Sequence, residues 1–205
     1  MKVMDYFKKF SLYSLLAVGV FITGCDDDDD PPPPENEVEI ITDVTLIFTN
    51  DADANDVVMA SAQDPDGAGV QELAILDAIT LDVNTSYTLT FAVLNNLETP
   101  GEDIGGEIAE EDDEHQLFFS FSNDAFTNPT GDGNIDSSSD PLVYNDADGN
   151  GNPLGLSTSW TTSSDPLSGG TFTARLQHQP EIKTSTTGAD DGDTDFELTF
   201  VLNIE

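Results

Sequence analysis

Five stretches of this 205-residue chain alternate apolar and polar residues with a period of two. They are Val44-Leu46-Phe48, Tyr87-Leu89-Phe91-Val93, Leu117-Phe119-Phe121, Phe172-Ala174-Leu176 and Phe196-Leu198-Phe200-Leu202-Ile204. Successive side chains of a strand point to opposite faces, so each stretch reads as one buried face of a strand. Between them lie clusters of Asp, Asn, Gly, Pro and Ser, the residues of tight turns. Further strand candidates are 56–62, 70–83, 141–145 and 154–161. About eight or nine strands joined by short turns predict an all-β domain over residues 38–205, an antiparallel β-sandwich of immunoglobulin-like or similar type. Neither a βαβ alternation nor an internal repeat competes with that reading.

One segment departs from period two. Thr99-Pro100-Gly101-Glu102 has the T-x-x-E form of a capping box with Pro at the first helical position. Ile104, Ile108, Glu111 and His115 follow at spacings of four, three and four, which predicts one short acidic helix leading into Leu117. Gly101, Gly105 and Gly106 lower helix propensity and confine it to about residues 106–114.

The amino terminus is of another kind. Lys2, Lys8 and Lys9 precede the apolar run Ser11 to Thr23, which is too short for a stable membrane span and reads as a signal peptide over 1–24. Ile22-Thr23-Gly24-Cys25 resembles the lipobox of bacterial lipoproteins, which implies acylation of Cys25, the chain's only cysteine. No thiol then remains for catalysis, for a disulfide or for a cysteine zinc site. At about 0.8 kcal/mol per buried CH₂, two or three acyl chains anchor a protein that need not span the bilayer. Asp26 to Asp30, Pro31 to Pro34 and Glu35-Asn36-Glu37 continue as an acidic, proline-rich, disordered tether over 25–37. An acidic run directly after the cysteine resembles the export signal of Bacteroidota lipoproteins, which implies the outer membrane, facing the exterior, with the periplasmic face as the alternative. The same Asp in an enteric bacterium would imply retention at the inner membrane.

Charge excludes one class of partner. With 41 Asp and Glu against 5 Lys and Arg, the net charge is −36. A nucleic-acid surface needs clustered cations, and none exist here. Loss of residues 1–24 removes Lys2, Lys8, Lys9 and Asp5, leaving Arg175 and Lys183 and a net charge of −38. Such a chain depends on screening or bound cations for its carboxylates.

The chain holds two histidines. His115 shares the parity of Leu117, Phe119 and Phe121 at the start of one predicted strand; His178 shares that of Phe172, Ala174 and Leu176 at the end of another. If those strands pair antiparallel, the two imidazoles meet at one edge of the sandwich. With carboxylates from Glu111, Glu114 or Glu181 they would suit Zn²⁺ or another borderline divalent metal. The bland reading is a histidine ending a helix, a histidine ending a strand, and solvated acids.

Ca²⁺ is the other candidate ion. Asp146-Ala147-Asp148-Gly149-Asn150-Gly151 matches the first half of an EF-hand loop, with Asp146, Asp148 and Asn150 as ligands, but position twelve is Ser157 where a bidentate Glu is needed. Asp51-Asp53-Asn55, Asp132-Asn134-Asp136 and Asp191-Asp193-Asp195 are similar, and for each the turn reading is favoured. A nucleophile elbow, an H-E-x-x-H, a phosphate loop and a dinucleotide fingerprint are all absent, so no enzyme is expected.

Glu110-Glu111-Asp112-Asp113-Glu114-His115-Gln116-Leu117-Phe118-Phe119, the run Val143 to Leu156, Leu176-Gln177-His178-Gln179-Pro180 and the final strand resemble a group of small uncharacterised lipoproteins of flavobacteria and relatives. That group is sometimes labelled a type 1 periplasmic binding fold, which needs repeated βαβ units that this chain lacks. The resemblance brings no activity. It implies an outer-membrane lipoprotein partnered with a TonB-dependent receptor, a non-catalytic binding module for a divalent metal or small ligand. A structural or adhesive β-sandwich with loosely Ca²⁺-binding acidic loops is the other reading of the same residues.

Overall fold

The structure is a computed structural model that describes residues 39–64, 66, 72–97 and 99–205. The expected signal peptide, Cys25 and the tether over 25–37 lie outside the described residues. What is described is mostly β, with one short helix and two sheets.

The elements in chain order are β1 (Asp43–Asn50), β2 (Val57–Gln63), β3 (Ala74–Ile75), β4 (Ile79–Leu81), β5 (Ser86–Leu94), α1 (Ile104–Glu110), β6 (His115–Phe121), β7 (Phe126–Asn128), β8 (Ser157–Thr162), β9 (Leu167–His178) and β10 (Asp193–Ile204). One sheet has the order β3-β2-β1-β5-β8-β7 and the other β4-β10-β9-β6. Each of the five alternating stretches is a strand, and its apolar parity faces the core; Phe91 alone is only partly buried. Phe48 of the first sheet meets Phe172 of the second with ring centroids 5.6 Å apart, and Trp160 meets Phe172 at 5.0 Å, both edge to face. Aromatic pairs at that spacing add about 0.5–1.5 kcal/mol beyond burial, and here they join the two sheets.

Several expectations are corrected. Of the candidate 70–83, the described residues 72–83 hold two short strands, β3 and β4, and residues 141–145 keep only the isolated bridge of Tyr144 to Thr158. β7, absent from the alternation, pairs with β8. The sheets are not wholly antiparallel, because β4 runs parallel to β10. The helix starts at Ile104, capped by Asp103, whose carboxylate accepts from the Gly106 N–H at 3.2 Å. Thr99 to Glu102 is not its capping box: Glu102 exchanges backbone hydrogen bonds with Asn95, and its carboxylate accepts from the Asn95 amide. The helix also ends early, at Glu110, although Ile104 and Ile108 are buried as the spacing requires.

β6 is an edge strand that does not behave as one. Bare edges invite pairing with other chains. The segment after β7 covers this one: the Leu117 N–H donates to the Leu154 carbonyl at 2.7 Å and the Phe121 N–H to the Asp132 carbonyl at 2.8 Å. Gly133 permits the approach, since a Cβ there would fall 2.0 Å from the Phe119 carbonyl oxygen. On the outward side the 179–192 segment folds back, with Gln177 and Gln179 amides donating to the Asp191 carbonyl. The starts of β6 and β10 and the end of β9 are thereby enclosed together.

Candidate metal centre

The register brings the histidines together. β6 and β9 pair antiparallel with His115 directly opposite His178, and His178 is in turn opposite Asp193 of β10. The two imidazoles stack, with centroids 4.4 Å apart and planes 5° from parallel. Both are buried, His115 completely. A metal–nitrogen bond lies in the plane of its ring, so two parallel stacked rings direct their lone pairs into two separate planes. The pair is therefore not preformed to share one ion.

Each ring has different partners. His178 Nε2 lies 3.3 Å from the Glu114 carboxylate. His115 Nδ1 lies 3.3 Å from the carbonyl oxygen of Glu111, the residue that caps α1. A carbonyl only accepts, so Nδ1 carries the proton and Nε2 of the neutral ring keeps its lone pair. That Nε2 is 3.5 Å from Glu39 Oε1 and 3.9 Å from Asp195 Oδ2, both too long for a hydrogen bond. His115 Nε2, Glu39 Oε2 and Asp195 Oδ2 are all buried without a hydrogen-bond partner.

The electrostatics agree with that crowding. Burial, reinforced by Asp195, Glu111 and Glu107, pushes the Glu39 carboxyl up to about 8. Burial likewise raises Asp195 to about 6. Burial, and then the neighbouring His178, lowers His115 to about 4, so its ring is neutral near neutral pH. Each group is held toward its uncharged form because burial outweighs what favours the charged one, the Glu111 carbonyl at His115 and the neighbouring His178 at Asp195.

Two sets of side chains here could hold a metal: Glu111, His115 and His178, and Glu39, His115 and Asp195, in each case with ligand atoms within 4.8 Å of one another. The first is the set expected from the sequence, with Glu111 exposed. The second contains two ligands that sequence reasoning missed. Asp195 falls at an irregularity in the β9–β10 register between Thr194 and Phe196. Such a bulge re-aims a side chain, so strict alternation assigns Asp195 to the wrong face. Glu39 precedes the first strand and carries no periodic signal at all. Glu181 does not join either set; it is exposed in the turn after Pro180, at φ 61°.

The loop of Asp146, Asp148 and Asn150 is a turn whose acids are already committed. Asp146 accepts from the Gly155 and Ser157 N–H groups, both at 2.8 Å. Asp148 accepts from the N–H groups of Asn150 and Asn152 at 2.8 Å and from the Asn152 amide at 2.9 Å. Asn150 is exposed beside them. The buried Lys183 ammonium lies 3.7 Å from Asp148 and donates to the Asp112 carbonyl, so a lysine sits where the calcium reading places an ion. A third set, Asp132, Asp136 and Asp140, is close enough to hold a cation but lies at the surface.

No known protein family, no curated protein and no solved structure matches the chain.

Proposed function

We propose that the chain is a membrane-tethered, non-catalytic module that binds a divalent cation beside its two histidines. The observation that carries this is the buried, unpartnered lone pair of His115 Nε2, facing Glu39 Oε1 and the equally unpartnered Asp195 Oδ2, while Glu39 Oε2 also lacks a donor. An unsatisfied buried polar group costs about 1–3 kcal/mol, and three such groups on neighbouring side chains favour a species that satisfies them together. The lipobox-like Ile22 to Cys25 and the acidic run after it support an outer-membrane anchor, with a TonB-dependent receptor as partner. The two sheets joined through one aromatic core support an antiparallel sandwich of immunoglobulin-like type, with β4 as its parallel exception.

Elemental analysis of the purified protein tests the reading, together with its melting temperature in Zn²⁺ or Ca²⁺ at constant ionic strength. One equivalent of metal is expected, and Zn²⁺ at 100-fold excess over Kd stabilises by about 2.7 kcal/mol. A shift that persists in His115→Ala, or no Zn²⁺ shift at all, contradicts it. Asp132 and Asp136, exposed, and the half-buried Asp140 favour a second reading, an adhesive sandwich loosely holding Ca²⁺. That reading predicts a Ca²⁺ shift indifferent to His115.

A further inference from the structure

We infer that the cation is held by Glu39, His115 and Asp195 rather than by the histidine pair, and that it clasps the segment entering the domain to the edge of the four-stranded sheet. The inference rests on the divalent-metal reading and adds to it the ligands, the class of ion and a mechanical consequence.

Distances come first. Metal–nitrogen and metal–oxygen bonds of about 2.1 Å around a tetrahedral ion place its ligands roughly 3.4 Å apart. The His115 to Glu39 and His115 to Asp195 separations are 3.5 and 3.9 Å. The unpartnered atoms expose almost no surface, so solvent does not satisfy them. Side-chain exposure is 0% for His115, 7% for Asp195 and 11% for Glu39.

Chemistry fixes the class. One imidazole nitrogen and two carboxylates suit Zn²⁺ or a neighbouring first-row divalent ion, whereas Ca²⁺ requires six to eight oxygens. The Nδ1 contact to the Glu111 carbonyl is the outer support that orients a ligating imidazole. His178, stacked on the same ring, buttresses His115 without ligating.

The consequence follows from where the ligands come from. His115 and Asp195 belong to β6 and β10, which flank β9 in one sheet. Glu39 lies ahead of β1, in a segment that joins the other sheet through the Thr42 N–H to the Leu94 carbonyl at 3.0 Å and through buried Ile41. It stands two residues after Glu37, where the sequence places the end of the tether. Binding of the ion and fixing of this entry segment are therefore one event, and withdrawal of Glu39 opens the site.

The test uses the intact chain purified in detergent. Zn²⁺ affinity is measured by calorimetry for wild type, Glu39→Gln, Asp195→Asn and His178→Phe, with circular dichroism to verify folding. Amide exchange of residues 39–41 is followed with and without Zn²⁺. Expected are losses of at least tenfold in affinity for Glu39→Gln and Asp195→Asn, a change within about threefold for His178→Phe, and exchange at least tenfold slower with Zn²⁺ in wild type and His178→Phe but not in Glu39→Gln. Binding that survives Glu39→Gln and Asp195→Asn but fails in His178→Phe overturns the ligand assignment and leaves the metal reading standing. Binding that needs Glu39 without slowing exchange at 39–41 overturns the clasp. Wild type that binds no Zn²⁺ overturns both.

Discussion

Two groups of buried acids in this chain have opposite fates. In the loop from Asp146 to Ser157, both carboxylates are saturated by backbone N–H groups, and Lys183 supplies a positive charge. At the start of β6, Glu39 and Asp195 face a neutral histidine and each keeps an oxygen without any donor. The first group looks like a cation loop in the sequence and is complete without an ion. In the second only Asp195 belongs to such a run, Asp191-Asp193-Asp195, and the group is incomplete. What separates them is the supply of donors: a Gly-rich turn presents its N–H groups to its own acids, whereas strands have already spent theirs on the ladder.

Substitutions should therefore act in opposite directions in the two regions. The largest effect is expected for Lys183→Met, which leaves Asp148 buried without its counter-charge. A loss of about 2–3 kcal/mol is expected, read from urea denaturation, since breaking one side of a buried pair is costly even when other donors remain. An unchanged midpoint would mean that the N–H groups suffice alone. The smaller effect has the reverse sign. Glu39→Gln, without metal and at neutral pH or above, is expected to stabilise by about 1 kcal/mol by removing an acid that burial disfavours. Destabilisation there would show that Glu39 has a donor and would erase the contrast.

Much of the framework was legible in the sequence because strand alternation survives burial. β9 and β10 present Phe172, Ala174 and Leu176, and Phe196 to Ile204, inward as their parity requires. The same parity put His115 opposite His178. Their stacking was not legible, because it depends on rotamers, and neither was Asp195, because one bulge reverses its face. Glu39 and Lys183 reach their sites only through tertiary contacts. The helix start misled for a related reason: Glu102 forms an isolated bridge with Asn95, which propensity alone does not reveal.

The central claim is that one divalent ion sits among Glu39, His115 and Asp195. It is tested most directly by crystals grown with Zn²⁺ and an anomalous difference map recorded just above the zinc edge. The account predicts one strong peak about 2.1 Å from His115 Nε2 and from an oxygen of each carboxylate. A peak between His178 and Glu114, peaks only on the surface acids, or none at all would contradict it.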